Sequence, residues 1–235
     1  MKTQRSIKTG LSGLLCMAML SFSSCLKNDD DYVEIPVALI SAINASPDAD
    51  AADFYLDQNR GNSVPVKSGE SLDYIRAYTG KRNASFYFSM NQQKIKTDTV
   101  TLKADHLYSL FLSNVVATPD YLLITDSIAQ PEAGKATVRF VNLSPDVQSA
   151  DLAVQGGNIL ASNKGYKGYS GFITVAGDTQ YNFEIRRAGT GTVLSTLSNI
   201  KLRSGSVYTV WLQGLASGSG QTALSSHIQN NAYYY

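Results

Sequence analysis

The sequence predicts an all-β fold, in the form of two tandem immunoglobulin-like antiparallel β-sandwich domains. Three observations carry that expectation. Short runs of aromatic and β-branched residues recur along the chain, the types that fit a pleated, half-buried surface. Gly, Asn, Asp, Ser and Pro interrupt them at Ser68-Gly69, Thr79-Gly80, Ala176-Gly177-Asp178, Gly189-Thr190-Gly191 and Arg203-Ser204-Gly205, with no convincing amphipathic helical period. Motifs of the first half also return roughly 100 residues later, a period too long for a solenoid and suited to a whole domain.

In the first half the pattern predicts strands at Val37–Asn44, Ala52–Asp57, Leu72–Tyr78, Ala84–Met90, Lys94–Leu102, Leu107–Val115 and Tyr121–Ser127. Phe86-Tyr87-Phe88 and Leu107-Tyr108-Ser109-Leu110-Phe111-Leu112 are rich in aromatic and aliphatic side chains. Thr97 to Leu102 alternates polar with apolar, the period of a strand with one wet face. The second half offers Thr137–Asn142, Asp151–Gln155, Phe172–Val175, Tyr181–Arg187, Val193–Leu202, Val207–Leu212 and Ala223–Ile228. About seven short strands in roughly 95 residues suit an immunoglobulin-like sandwich. Gln130-Pro131-Glu132-Ala133-Gly134 marks the seam, so domains are expected at residues 36–128 and 135–235 with a linker at 129–134.

The repeat is readable residue by residue. Ile43-Asn44-Ala45-Ser46-Pro47-Asp48 matches Val141-Asn142-Leu143-Ser144-Pro145-Asp146, and Ala52-Asp53-Phe54 matches Ala150-Asp151-Leu152. Tyr74-Ile75 falls on Phe172-Ile173, and the run Leu107 to Leu112 parallels Val207 to Leu212, where Trp211 takes the place of Phe111 and reads as packing. Each Asn-x-Ser-Pro-Asp follows the first strand, where the chain must turn. Pro47 and Pro145 fix φ there, and the following Asp is suited to accept a hydrogen bond from backbone N–H groups two residues on. Ala45-Ser46-Pro47-Asp48 followed by Ala52-Asp53-Phe54-Tyr55-Leu56-Asp57 resembles the opening of the DUF4397 domain, a family without an assigned biochemical function. The resemblance implies a β-sandwich and brings no catalytic residues. The second copy matches less fully, with Leu143 for the small residue and Leu152-Ala153-Val154 for the aromatic strand.

The N-terminus carries an address. Lys2, Arg5 and Lys8 precede an apolar stretch from Leu11 to Phe22, and small Ser23 and Ser24 precede Cys25. That stretch falls short of the roughly 20 residues that span a bilayer, so residues 1–24 read as a secretory signal. A Cys directly after small residues resembles a bacterial lipobox, which implies lipidation of Cys25 by palmitate-type chains and makes residues 1–24 a lipoprotein signal peptide. An ordinary signal peptide with an incidental Cys is the plainer alternative. Leu26-Lys27-Asn28-Asp29-Asp30-Asp31 resembles the export signal of Bacteroidota lipoproteins bound for the outer face of the outer membrane, the alternative being a solvated tether facing the periplasm. Either way residues 25–35 form a polar tether that holds the domains up to ~30 Å from the lipid. Several acyl chains, at ~0.8 kcal/mol per buried methylene, make such anchoring effectively permanent.

Charge and cysteine content set further bounds. The formal net charge is +1, and removing the signal removes three basic residues and no acidic ones. No basic field remains to attract nucleic acid. Cys16 leaves with the signal and Cys25 is used by lipid, so the body must be stable through its cores alone.

Candidates for chemistry are few. Asp48, Asp50, Asp53 and Asp57 are hard oxygen ligands, but the second half keeps only Asp146 and Asp151, so turn-forming carboxylates are expected rather than a calcium site. His106 and His227 lack a second His or Cys nearby, no Gly-x-Ser-x-Gly elbow occurs, and nothing singles out a glycosidase pair. No catalytic residue, metal or cofactor is therefore expected. Tyr166 and Tyr169, in Lys164-Gly165-Tyr166-Lys167-Gly168-Tyr169-Ser170-Gly171, suit stacking on a sugar ring or gripping a protein, unless a tyrosine folds back over the sandwich edge. Asp98-Thr99-Val100 and Asp126-Ser127-Ile128 resemble the O-glycosylation motif of exported Bacteroidota proteins, with Thr99 and Ser127 as acceptors. The tail Tyr233-Tyr234-Tyr235 is open between a final strand, a sticky tail and a disordered end. The sequence thus predicts a non-enzymatic lipoprotein of the outer membrane, facing outward, that binds a glycan or a protein partner. The alternative is a structural or accessory subunit of an outer-membrane complex.

Overall fold

The computed structural model describes residues 35–235, and Cys25 with the rest of the N-terminal segment lies outside them. The first half holds β1 (Val37–Ala45), β2 (Ala51–Leu56), β3 (Asn59–Arg60), β4 (Val66–Lys67), β5 (Glu70–Ser71), β6 (Ile75–Tyr78), β7 (Gly80–Phe88), β8 (Lys94–Leu102), β9 (Leu107–Ser113) and β10 (Asp120–Asp126). The second holds β11 (Lys135–Asn142), β12 (Ala150–Val154), β13 (Ile159–Lys164), β14 (Ile173–Ala176), β15 (Thr179–Arg187), β16 (Val193–Leu202), β17 (Ser206–Gln213) and β18 (Ser225–Tyr233). One 3-10 turn, Gly220–Thr222, is the only helical element among the described residues.

These strands make four sheets. In the first half, β10-β9-β1-β5, with β6 also on β1, is an inner sheet, and β3-β2-β7-β8, with β4 on β2, is an outer one. The second half repeats the scheme with an inner β14-β11-β17-β18 and an outer β13-β12-β15-β16. The expected all-antiparallel pairing fails at one place in each half: β1 runs parallel to β9, and β11 parallel to β17. A parallel pair needs a long crossover, and the intervening chain supplies it by building the outer sheet.

Side-chain parity explains how the layers stack. Along β1, Ala38, Ile40 and Ala42 join Phe54, Phe86 and Leu110 in a core between the first inner and outer sheets. Ile43 and Ala45, of opposite parity, join Phe111, Ile124, Val141, Leu143 and Trp211 in a third core between the two inner sheets. Val138, Phe140, Val210 and Leu212 face the second outer sheet, completing its core with Leu152, Phe183 and Ile185. The order is outer, inner, inner, outer. Strands with two buried faces lose the polar alternation, so β9 and β17 are buried almost throughout, while the edge strands β8 and β16 keep most of their residues at least partly exposed. Residues Ile35–Tyr235 accordingly form one compact unit.

Several elements differ from the sequence pattern. β3, β4 and β5 have two residues each, and β13 passes from apolar Ile159-Leu160-Ala161 to polar Ser162-Asn163-Lys164 without alternating, so none of them offers a periodic signal. β9 stops at Ser113 because Asn114 adopts φ +66°, a left-handed turn conformation. β18 runs on to Tyr233, and Tyr234 donates its N–H to the Gly205 carbonyl, so the tail ends as strand. Its Gln229 and Asn231 are buried polar residues facing the seam, which breaks the apolar alternation.

Candidate functional site

The repeated turn proves to be a clasp within each half. Asn44 accepts from the Ser46 N–H and donates to the Ala49 and Val66 carbonyls, and Ser46 Oγ donates to Asp48 Oδ1 at 3.2 Å. Asp48 then accepts from the backbone N–H of Val116, in the loop after β9. Asn142, Ser144 and Asp146 repeat this, with Asp146 taking the N–H groups of Ala216 and Ser217. The expected acceptance from residues two positions on is thus replaced by acceptance from a distant loop, because the Asp points across the sandwich end. Burial works against the Asp146 carboxylate, but the Ser217 and Ala216 donors outweigh it and hold the group below its ordinary range.

The other aspartates are also engaged. Asp53 is buried and takes bonds from Arg60, Asn62 and Gln92, Asp57 pairs with Arg82, and Asp50 accepts from Gln221. They do not converge, and among the described residues no three His, Cys, Asp or Glu gather as a metal site. His106 sits on the turn before β9, and its Nδ1 lies 2.7 Å from the Ala104 carbonyl. His227 stacks on Trp211 with ring centroids 5.6 Å apart.

The seam carries a polar network absent from any sequence signal. Asp126, the last residue of β10, receives Arg139 from β11 at 2.5 Å, Tyr74 at 2.6 Å and Ser109 at 2.8 Å. Arg139 also donates to Thr209 and lies over the Phe172 ring at 4.8 Å. Thr209 donates to Asn231, whose amide donates to the Tyr74 hydroxyl and closes the ring of contacts. Trp211, fully buried, meets Phe111 edge-on at 6.1 Å and donates to Gln213, which donates to Ser68. Gly69 follows at φ +81°, and a Cβ there would lie 2.2 Å from the His227 ring. Glycine is therefore required at that contact.

The loop with the two candidate tyrosines lies beside this seam. Tyr166 is half-buried, with its hydroxyl 3.2 Å from Ser113 Oγ and 3.4 Å from Asp120, and Lys167 pairs with Asp120. Burial pushes its phenol above the ordinary range. The loop thus braces the first half, and Tyr169 alone of the two is well exposed, at 47%. Thr99, on edge strand β8, and Ser127, just after β10, are both exposed.

The outer face of the first outer sheet holds an aromatic pair that the repeat leaves visible. Asp53 and Tyr55 of β2 stand opposite Tyr87 and Ser85 of β7. Tyr55 and Tyr87 pack edge to face with centroids 5.4 Å apart, and each keeps part of its surface in solvent. Ser85 and Thr97 share a 2.8 Å hydrogen bond on the same face. In the second half, Asp151 and Ala153 stand opposite Arg186 and Glu184, which form an ion pair at 2.7 Å. The aromatic pair therefore belongs to one half alone, and the shared fold does not require it.

No curated protein matches this chain. Among solved structures, the family 26 carbohydrate-binding module of Eubacterium rectale Amy13K, in complex with maltoheptaose, is similar at 10% identity and TM-score 0.27, with 83% of this chain and 97% of that chain covered. A streptococcal virulence factor described for alpha-glucan binding is similar at 12% identity and TM-score 0.25, covering 76% and 92%. The Bacillus anthracis TIE protein is similar at 8% identity and TM-score 0.24, covering 83% of this chain and 44% of that one. Residues 38–153, running from β1 across the seam into β12, match the family DUF4397, a domain of unknown function.

Proposed function

We propose that the protein is a non-enzymatic binding module for a glycan or a protein partner, made of two tandem immunoglobulin-like sandwiches. It is tethered through lipidated Cys25 to the outer membrane and faces outward. The observation that carries the reading is the difference between the matching outer faces. The first half displays Tyr55 and Tyr87 where the second has Ala153 and the Glu184–Arg186 pair. Selection for folding alone explains the shared cores and clasps but not this difference, since exposed aromatic rings are the residues that recognition surfaces use. The immunoglobulin-like reading draws support from matched tyrosines: Tyr108 accepts from the Lys103 N–H at 3.1 Å and Tyr208 from the Arg203 N–H at 3.0 Å, each bonding a few residues upstream as a tyrosine corner does.

The stiff seam favours a second reading, a structural or accessory subunit that spaces its neighbours. Two measurements on the wild-type mature protein separate these: retention on a panel of surface polysaccharides, and capture of partners from intact membranes. Specific retention or capture is the expected result. Silence in both experiments would leave the spacer reading in place.

A further inference from the structure

We infer that the outer face of the first outer sheet is a binding site for a neutral polysaccharide chain, with Tyr55 and Tyr87 as its stacking platform and Arg60 and Gln92 as its hydrogen-bonding rim. The inference rests on the binding-module reading and names the site and ligand class within it.

A carboxylate on the solvent side of an outer sheet would ordinarily stay hydrated, yet Asp53 is only 1% exposed, as is its counterpart Asp151 at 2%. The two are satisfied by different partners. Asp151 accepts from the backbone N–H groups of Asn163 and Gly189, a purely structural arrangement. Asp53 instead gathers side chains: Arg60 at 2.5 Å, Asn62 at 3.0 Å and Gln92 at 2.8 Å. Arg60 stands opposite Tyr55 on β3, and Gln92 Oε1 lies 3.4 Å from the Tyr55 hydroxyl. The buried carboxylate thus fixes a guanidinium and an amide beside the rings, and Arg60 keeps 40% of its side chain exposed.

Charge selects the ligand class. Both carboxylates of the face are engaged, Asp53 by Arg60 and Asp57 by Arg82, so the centre presents closed ion pairs, phenols, hydroxyls and amides. An anionic ligand would find a guanidinium already neutralised, and a cationic one an occupied carboxylate. Lys81, opposite Thr101, stands at the far end of the face, whereas Lys94 is exposed opposite Tyr87, so one ammonium borders the platform and the polyuronate arm of the test below reads its pull on an anionic chain. A sugar ring matches the centre: its C–H face lies on an aromatic ring while its hydroxyls trade bonds with amide and guanidinium groups. A folded protein partner would need a larger desolvated area than two half-exposed rings supply.

The second half provides the fold-compatible test. Tyr55→Ala, Ser85→Glu and Tyr87→Arg together install the residues of the matching positions, Ala153, Glu184 and Arg186, on the first half. Binding of the lipid-free full chain to a galactomannan, a mixed-linkage glucan and dextran, with a polyuronate alongside, is measured by affinity electrophoresis and titration calorimetry. The wild type is expected to bind at least one neutral chain, the triple variant to bind it roughly tenfold or more weakly with cooperative melting retained, and Glu184→Gln to bind as wild type. Equal binding by the triple variant would overturn the site while leaving the module reading intact. Binding of the polyuronate alone, lost in high salt, would overturn the ligand class. Failure of the wild type on every polysaccharide would remove the glycan reading itself.

Discussion

Arg139 Nη1 lies 2.5 Å from Asp126 Oδ1, both side chains buried, and the two residues come from different halves of the chain. A charge pair withdrawn from water is tolerated when further hydrogen bonds take up its remaining polar groups, and Tyr74, Ser109 and Thr209 supply such bonds here. Removing one partner strands the other. Asp126→Asn or Arg139→Met is expected to cost about 3–5 kcal/mol in denaturant unfolding. The double variant Asp126→Leu with Arg139→Met should cost less than the sum, because no charge is left unpaired. Additive losses would show that the pair is not coupled.

The seam also predicts that the halves depend on one another. A fragment of residues 134–235 would expose Trp211, Val141, Leu143 and Arg139, all buried in the whole chain. We expect it to self-associate or melt broadly, and to recover a cooperative transition when mixed with residues 35–133. In the intact protein, Trp211→Ala should cost about 3–5 kcal/mol. A fragment that melts as sharply and as high as the whole chain would refute the dependence.

His227 gives the seam a pH dependence of definite sign. Burial against Trp211 disfavours its charged form and lowers its pKa from the ordinary 6.5. The unfolded chain then binds the proton more readily, so this contribution is intact above about pH 6.5 and is lost as pH falls toward the folded value. Unfolding free energy should decline as pH falls below about 6.5, and His227→Gln should flatten that slope. An unchanged slope in the variant would assign the dependence to other groups.

The anchor is tested in cells. Cys25→Ser is expected to move the protein from the membrane to the soluble fraction, and protease added to intact cells should digest the wild type. Replacing Asp29, Asp30 and Asp31 with Ala should reduce that digestion. Protection of the wild type until the cells are lysed would place it on the periplasmic side.

How much of this was legible in the sequence follows from the range of each interaction. Strand periodicity and turn residues are local, so the all-β class and the long elements of both halves could be read directly. So could the repeat, because Asn-x-Ser-Pro-Asp and the runs ending at Leu112 and Leu212 are contiguous in the chain. Two-residue strands such as β3 and the non-alternating β13 escaped, since hydrogen bonding to a neighbour, not side-chain pattern, makes them strands. What only the tertiary structure decided is which strand face meets which sheet. The sequence shows Trp211 as a core residue; its parity places it between the halves, beside Phe111 and His227. Tyr166 sits in a Gly-rich loop that reads as open, yet its hydroxyl reaches Ser113 because the loop lies against the other half. Tyr55 and Tyr87 read as ordinary strand residues, and only register puts them side by side on a solvent face. Local propensity is written along the chain, whereas pairing between distant segments depends on closing long loops and on the shapes that meet when they close.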